Sequence, residues 1–278
     1  MSKKIVGKKK VAVQLPAVAK RVALEERYSL ELESLGDVAE LVEVDGSSPD
    51  SFLAGARDAD ALLTSWGIKI DQQIIAGLEK CAVIGVGSVG VDMVDVDAAT
   101  EAGIVVTNVP DVFIEEVADH TLMLLLACAR RSKLMDKMVN EGKWYKGRPI
   151  LEQIPRLWGQ TLGLISFGNV ATAVARRAKP FGLNVIAYDP YVTELKMTAE
   201  GVQPVNLPEL YEKSDYISIH PGLNDTSRAM LNDDAFAAMK NTVSIINCGR
   251  GPTIDEAALI RARRCSRAGC TREGTAGA

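Results

Sequence analysis

Residues 161–190 have the sequence "TLGLISFGNVATAVARRAKPFGLNVIAYDP", and this stretch decides the fold of the 278-residue chain. An apolar run leads into a turn with glycine, then a stretch of helical periodicity, then a second apolar run that ends in Asp-Pro. This order predicts a strand, a tight turn, a helix and a parallel strand. In such a βαβ unit the turn lies at the carboxyl end of the first strand, directly before the helix.

The predicted turn has the spacing of a phosphate-binding fingerprint. In dinucleotide-binding βαβ units the turn has the pattern G-x-G-x-x-G/A, because glycine permits the tight turn and lets the backbone approach a pyrophosphate. Ser166, Gly168 and Ala171 hold these positions, so serine replaces the first glycine. Asp189 ends the next strand, where a carboxylate accepts ribose hydroxyls and repels a 2′-phosphate. The pattern favours an NAD site over an NADP site; a plain βαβ unit with an ordinary turn is the alternative.

The same alternation of apolar runs and helical stretches fills the rest of the chain. Five short Val/Ile/Ala-rich runs precede residue 110, and further runs of this kind follow a long helical stretch predicted over residues 114–138. Alternation of this kind is typical of parallel sheets in α/β layer folds. We therefore expect two doubly wound domains, residues 1–109 and residues 110–262, with the long helix in the second.

Composition and charge exclude several classes of protein. The chain is 47% hydrophobic and 24% charged, with a net charge of −4, which argues against nucleic acid as a partner. The longest apolar run, residues 121–129, is too short to cross a membrane. Five scattered cysteines without a C-x-x-C pair favour reduced thiols over disulfides or a metal site. With no apolar leader near the first residue, these features predict a cytoplasmic protein.

Five motifs together resemble the NAD-dependent D-2-hydroxyacid dehydrogenases, which include phosphoglycerate dehydrogenases, glyoxylate reductases and the C-terminal-binding-protein corepressors. They are "NVPDVFIEEVADHTLMLLLACARR" (108–131), "QTLGLISFGNV" (160–170), "YDPYV" (188–192), "SDYISIHPGLNDTSR" (214–228) and "MKNTVSIINCGRGPTIDEAALI" (239–260). A further stretch, "IGVGSVGVDMVD" (84–95), resembles the family's substrate loop. The resemblance implies a flavodoxin-like and a Rossmann domain, with the second domain and the return to the first incomplete.

The resemblance also implies site residues, position by position. Arg250 would be the catalytic candidate that binds the carboxylate and carbonyl oxygen of a small 2-oxo or 2-hydroxy acid, since a guanidinium makes bidentate contacts. Trp66, Val89 and Gly90 would complete the substrate site, although a core position for Trp66 is an equal alternative. The positions implied for the cofactor are Ser166, Gly168, Asn169, Val170, Asp189, His220, Pro221, Thr226, Cys248, Gly249 and Arg250.

The two histidines have different expected roles. His120 lies among apolar residues of the long helix, which predicts a buried, hydrogen-bonded structural histidine, whereas His220 ends a strand beside the cofactor cleft. The family takes its general acid from a Pro-His motif paired with a Glu loop, and neither motif occurs in this sequence. We therefore expect poor turnover from this chain. The alternatives are a non-catalytic NAD-sensing module of the corepressor type and a product that does not fold.

The last residues break the pattern. After Ala262 the sequence has no apolar periodicity, and five arginines lie between Arg261 and Arg272. We expect residues 263–278 to be disordered rather than a nucleic-acid-binding arm, because aromatic residues for base stacking are lacking. A shifted reading frame in the coding DNA is our hypothesis for this tail. The resemblance to the family also implies a homodimer built around the long helix.

Overall fold

The protein is described by a computed structural model that covers residues 8–15, 23–65 and 67–265. The chain divides into two compact units, Met1–Val112 and Phe113–Ala278. Trp66 and residues 266–278 of the predicted tail lie outside the described residues.

Unit 1 is an α/β layer structure. Its strands are β1 Lys9–Leu15, β2 Ala39–Asp45, β3 Ala61–Thr64, β4 Val83–Val86 and β5 Val105–Thr107. Its helices are α1 Leu24–Arg27, α2 Ser29–Leu35, α3 Pro49–Ala56, α4 Gln72–Ala76 and α5 Val96–Glu101. All strand pairs are parallel, in the order β2-β1-β3-β4-β5. This is the flavodoxin-like order that the resemblance implied.

Unit 2 contains the βαβ unit from which the fold was predicted. Its strands are β6 Thr161–Ile165, β7 Asn184–Tyr188, β8 Gln203–Pro204, β9 Tyr216–Ile219 and β10 Ser244–Asn247. Its helices are α6 Ile114–Ala129, α7 Ser132–Asn140, α8 Arg148–Glu152, α9 Asn169–Ala178, α10 Glu194–Ala199, α11 Leu207–Lys213, α12 Asp233–Ala238 and α13 Glu256–Cys265. Single turns of 3₁₀ helix occupy Trp144–Gly147, Lys179–Phe181 and Gly251–Thr253.

The sheet of unit 2 has the strand order of a Rossmann domain. Its strands are parallel and run in the order β10-β9-β6-β7-β8. Numbered from β6, this is the order 3-2-1-4-5 read from the β8 edge, with the reversal between β6 and β9. Ligands of open α/β sheets bind at the carboxyl ends of the strands beside such a reversal. The topology therefore places a candidate site after β6 and β9.

Small side chains allow α9 to pack closely in unit 2. Four alanines of α9, at positions 171, 173, 175 and 178, are buried together with Val174. They share one core cluster with Leu162 and Leu164 of β6 and with Leu122 and Leu125 of α6. Alanine has the highest helix propensity and adds little bulk, so the helix can approach both the sheet and α6. The alanine-rich sequence thus fixes the position of the helix that begins after Gly168.

The long helix expected over residues 114–138 is interrupted, so that part of the prediction is wrong. Helix α6 ends at Ala129 and α7 begins at Ser132. Arg131 has a φ of 49°, in the left-handed region. A left-handed residue stops the i to i−4 ladder of a right-handed helix, so the chain turns at this point. Glu115 and Glu116 do lie in the first turn of α6, as the charge pattern predicted.

Candidate functional site

The turn between β6 and α9 presents a helix start that no side chain caps. Asn206 and Asn232 cap α11 and α12 through their side chains. Gly168 precedes α9 and has no side chain for this purpose. A Cβ built on Gly168 would meet no atom within 4 Å, so the space in front of the helix is open. Backbone N–H groups at a helix start attract anions, and the open space admits a phosphate.

Ser166 takes up the left-handed conformation that glycine adopts without cost. Its φ is 73°, its N–H donates to the Tyr188 carbonyl over 2.8 Å, and its Oγ donates to Oδ2 of Asp189 over 3.0 Å. A left-handed residue with a Cβ costs on the order of 1 to 2 kcal/mol. A hydrogen bond to a carboxylate is among the stronger kinds and offsets part of this cost. The serine in place of the first glycine is therefore accommodated through Asp189.

Asp189 accepts hydrogen bonds on both of its carboxylate oxygens. Oδ2 accepts from the N–H of Phe167 over 2.8 Å and from Ser166. Oδ1 accepts from the N–H groups of Tyr191 over 2.8 Å and Val192 over 3.2 Å. A carboxylate has about four acceptor positions, and these four donors match that number. Asp189 consequently ties the turn after β6 to the loop after β7.

A cleft of about 290 Å³ opens beside the hydrogen bond between Ser166 and Asp189, and we call it the first cleft. It brings together four residues predicted for the cofactor: Ser166, Asp189, Pro221 and Thr226. Its remaining lining residues were not predicted; they are Ile165, Tyr188, Pro190, Tyr191, Leu207, Asn224, Ser227 and Met230. Tyr188 and Tyr191 lie close to Asp189 in the sequence, and this proximity could have predicted that they line the same cleft. The first cleft lies after β6 and β9, at the reversal of strand order.

Asn224 shapes the loop that forms one wall of the first cleft. Its Oδ1 accepts from the N–H of Thr226 over 3.0 Å, from the Thr226 hydroxyl over 2.7 Å and from the N–H of Ser227 over 3.0 Å. Ser227 is buried, and its Oγ donates to the Gly222 carbonyl over 2.7 Å. Asparagine favours such turns because its side chain bonds its own following backbone. The position of Thr226 is thus set by the residue two places before it.

His220 follows β9 and is held against the sheet. Its N–H donates to the Ile165 carbonyl over 2.9 Å, and its Nε2 lies 2.9 Å from Oγ of the buried Ser218. Burial lowers the pKa of His220 from 6.5 to about 4, because a desolvated ring resists the positive charge. The imidazole is therefore neutral near pH 7. A neutral ring of this kind is unsuited to donate a proton as a general acid at that pH.

A second cleft, of about 350 Å³, lies between α6 and the end of β10. It is lined by Phe113, Glu116, Val117, His120, Leu124, Asn247 and Cys248. His120 is exposed, so its expected role as a buried structural residue is wrong. The buried face of α6 carries Ala118, Thr121, Leu122, Leu125 and Ala129. His120 lies on a neighbouring face with Glu116 and Leu124, four residues to either side.

Cys248 faces the second cleft and is partly buried. Burial raises the pKa of its thiol, and a hydrogen bond with Thr121 opposes that shift. A thiol with a raised pKa is mostly protonated near neutral pH and is a poor nucleophile. Cys248 packs against the core cluster that includes Leu122 and Leu125 of α6.

The turn that carries Arg250 is built by Asn247. Oδ1 of Asn247 accepts from the N–H of Gly249 over 3.0 Å, and its Nδ2 donates to the Arg250 carbonyl over 3.0 Å. The buried Thr253 also donates to that carbonyl, over 2.6 Å. A Cβ on Gly249 would lie 3.2 Å from the Ile219 carbonyl oxygen, so the turn passes close to the end of β9. Asn247 was not predicted from the sequence as a site residue.

The predicted substrate loop in unit 1 follows β4. Nδ2 of Asn108 donates to the Val89 carbonyl over 2.8 Å, and Oγ of Ser88 donates to the Gly90 carbonyl over 2.8 Å. Among the described residues, the N–H groups of Val89 and Gly90 have no acceptor. Two adjacent N–H groups of this kind can bind a carboxylate. Trp66, the third residue predicted here, lies outside the described range.

Two features are absent from the described part of the chain. No group of three or more His, Cys, Asp or Glu side chains there could hold a metal ion. No described helix is long and apolar enough to cross a membrane.

Comparison with known proteins identifies the family. Residues 122–269 match the family model for the D-isomer specific 2-hydroxyacid dehydrogenase, NAD binding domain, and this match covers more than half of the chain. The chain belongs to this family, as the motifs predicted. The NAD cofactor is thereby confirmed at the level of the domain, and the uncapped start of α9 and the open space at Gly168 fit it.

Relatives and solved structures agree with this membership. A D-3-phosphoglycerate dehydrogenase of Methanocaldococcus jannaschii is 38% identical over 83% of this chain and 44% of that protein. A glyoxylate reductase of Korarchaeum cryptofilum is 37% identical over 74% of this chain and 62% of that protein. The structure of an Aquifex aeolicus D-lactate dehydrogenase with NAD and lactic acid has a TM-score of 0.80 at 27% identity, covering 91% of this chain and 73% of that chain. The chain thus spans less than two thirds of both curated relatives.

Proposed function

We propose that this chain binds NAD(H) and a small 2-oxo or 2-hydroxy acid as part of a 2-hydroxyacid dehydrogenase. The observation that carries the proposal is that Ser166 and Asp189 line the first cleft at the strand reversal of a Rossmann sheet, in the same turn in which Gly168 leaves open space before α9. When bound, NADH would supply the hydride that reduces the carbonyl carbon of the 2-oxo acid. A proton joins the carbonyl oxygen, and the products are the 2-hydroxy acid and NAD⁺.

The cofactor would lie along the carboxyl ends of the strands of unit 2. Backbone amides at Asn169 and Val170 would meet the pyrophosphate, since Gly168 leaves the space before them open. Asp189 would accept the ribose hydroxyls and disfavour a 2′-phosphate, which makes NAD the preferred dinucleotide. The remaining proposed contacts are Pro221 and Thr226 on the adenosine side, His220 beside the cleft, and the backbone of Cys248 and Gly249 near the nicotinamide.

The substrate acid would be held by Arg250. Its guanidinium is planar and always charged, so it can bind a carboxylate through two hydrogen bonds. The hydrogen bonds of Asn247 and Thr253 to the Arg250 carbonyl support this role, because they fix the backbone from which the side chain extends. Unit 1 would act as the substrate-binding domain, with Val89, Gly90 and Trp66 contributing to the site.

The rate of the proposed reaction depends on a general acid that donates a proton to the carbonyl oxygen of the substrate. The sequence holds two histidines: the pKa of His220 is lowered to about 4 by burial, and His120 belongs to α6, not to the Pro-His motif that supplies the family's general acid. Arg250 does not release a proton near neutral pH. A missing general acid costs on the order of 10² to 10⁴ in rate. We therefore expect NADH binding with slow turnover.

A second candidate is a non-catalytic protein that senses NAD and binds a partner. The stretch "HPGLN", residues 220–224, favours it, because this stretch resembles the corepressor branch of the family. In this case NADH would tighten binding to a partner protein. A dehydrogenase would instead gain activity when a proton donor is supplied.

The proposal includes a homodimer formed through α6. Met123 on this helix has 51% of its surface exposed, and Phe181 has 45%. Both line a shallow groove with Leu122, Leu126 and Ala127, and exposed apolar patches of this kind mark interfaces. A cytoplasmic location is also proposed, supported by Cys81, Cys128 and Cys248, which form no disulfide among the described residues.

The experiment combines binding and turnover on the purified chain. NADH is titrated by fluorescence, and NADH oxidation is then followed with glyoxylate, pyruvate and hydroxypyruvate. The proposal expects saturable NADH binding and turnover well below one per second. Absence of NADH binding would refute the proposal, and turnover of several per second would refute the inferred lack of a general acid.

A further inference from the structure

The carboxylate of Asp189 is fully used before any ligand arrives. Its four acceptor positions take three backbone N–H groups and one side-chain hydroxyl, that of Ser166. A ribose hydroxyl that binds this carboxylate must therefore displace a donor already in place. The four donors differ in how easily a ligand can displace them.

Only the Ser166 hydroxyl can leave without moving the main chain. The N–H groups of Phe167, Tyr191 and Val192 are fixed by the turns to which they belong. The serine hydroxyl moves by rotation about a single side-chain bond, between staggered positions. Ser166 and Asp189 also both line the first cleft, so their hydrogen bond lies where the adenosine half of a dinucleotide would bind.

The conformation of Ser166 shows that this hydroxyl is not required by the turn itself. At a φ of 73° glycine would fit without the strain that a Cβ adds. The backbone bond from the Ser166 N–H to the Tyr188 carbonyl does not depend on the side chain. Serine thus adds one specific group to the turn, a donor aimed at Asp189.

We infer that Ser166 is a specificity-determining residue whose hydroxyl competes with a ribose hydroxyl of the dinucleotide for Oδ2 of Asp189. The inference rests on the proposed function. In the free protein the serine satisfies the carboxylate, and on binding the ribose exchanges one hydrogen bond for another. When the serine hydroxyl is removed, water occupies Oδ2 of Asp189 in the free protein, and the ribose hydroxyl replaces that water on binding. The binding free energy then gains the net contribution of an intramolecular hydrogen bond. Ser166 therefore weakens the affinity for NAD(H).

The test compares Ser166→Ala and Ser166→Gly with the wild-type chain. Alanine removes the hydroxyl and keeps the Cβ and the left-handed strain, whereas glycine removes both. We expect both variants to bind NADH about threefold to tenfold more tightly than wild type, as measured by fluorescence titration. ADP should show a similar gain, and 2′-deoxy-ADP a smaller one if the 2′-hydroxyl is the competing group.

The outcomes separate this inference from the proposed function. If wild type and both variants fail to bind NADH at millimolar concentration, the proposed function itself is refuted. If wild type binds and Ser166→Ala binds equally well or more weakly, the hydroxyl does not compete and the inference is overturned. A gain in the glycine variant alone would assign the effect to backbone strain and would also overturn it. Circular dichroism and thermal unfolding confirm that each variant is folded.

Discussion

The side-chain amide of Asn247 donates a hydrogen bond to the main-chain carbonyl of Arg250 over 3.0 Å. The same side chain accepts from the N–H of Gly249 over 3.0 Å and lies 3.3 Å from the hydroxyl of Thr253. One partly buried asparagine thus closes the turn that carries the only arginine proposed to bind substrate. The hydrogen bonds of Asn247 therefore stabilise the turn and also position Arg250 for the proposed contact with the substrate.

Replacement of Asn247 by alanine should destabilise the protein. The substitution removes hydrogen bonds from a turn in which Thr253 is buried, and leaving such partners unsatisfied costs about 1 to 3 kcal/mol. Urea unfolding measures the loss. Asn247→Asp retains the acceptor for Gly249 but sets a carboxylate oxygen against the Arg250 carbonyl oxygen, so it should also lose stability near neutral pH. Equal stability of Asn247→Ala and wild type would show that the turn does not depend on this side chain.

Replacement of Arg250 by lysine should weaken binding of a 2-oxo acid to the NADH complex. Lysine keeps the charge and loses the planar pair of donors that binds a carboxylate at two points. The expected increase in Kd for pyruvate is about tenfold, equivalent to about 1.4 kcal/mol, read from the change in NADH fluorescence. The exposed Arg228→Lys is the matched control and should leave pyruvate binding unchanged. Unaltered binding in Arg250→Lys would remove Arg250 from the substrate site.

The lowered pKa of His220 predicts a loss of stability in acid. Burial lowers this pKa from 6.5 to about 4, so as the pH falls the unfolded chain binds the proton before the folded protein does. The folded state is then penalised between pH 6.5 and pH 4, and stability rises with pH across this window. Between pH 7 and pH 5 the wild type should lose about 2 kcal/mol more than His220→Gln does.

Urea unfolding at the two pH values measures this difference. The comparison with His220→Gln cancels the titration of the acidic residues that both proteins share. If His220→Gln and wild type lose equal stability, the ring of His220 is not desolvated in the folded protein.

Replacement of Met123 by glutamate should dissociate the proposed homodimer. Met123 is 51% exposed within this chain, so the substitution leaves the fold of unit 2 intact but places charges on the proposed interface, where burying an unpaired charge is costly. Light scattering should give twice the chain mass for wild type and the chain mass for the variant. A wild-type protein that remains monomeric at high concentration would refute the dimer.

Local patterns predicted the sheets, and tertiary contacts account for what sequence reasoning missed. The βαβ unit of residues 161–190 was predictable because apolar periodicity and turn residues act over short distances. The break at Arg131 was missed because an arginine in left-handed conformation has no sequence signal. His120 was misjudged because the continuous apolar run after it concealed which face of α6 is buried. The four hydrogen bonds of Asp189 join two loops, and the spacing of residues in the sequence does not predict them.

An NADH titration of three proteins tests most directly whether NADH binds at the turn between β6 and α9. Gly168→Val fills a space in which a Cβ meets no protein atom, at an ordinary φ of −81°. It should therefore fold normally and lose NADH affinity by a factor of ten or more. Gly182→Ala is the opposite control, because its φ is 77° and its Cβ would collide with the Trp158 ring.

The control should lower the thermal stability while the NADH affinity of the folded protein stays at the wild-type value. The predicted result is thus a loss of binding without a loss of stability in Gly168→Val, and the reverse in Gly182→Ala. Wild-type affinity for NADH in a folded Gly168→Val variant would contradict the account, because the dinucleotide would then bind elsewhere.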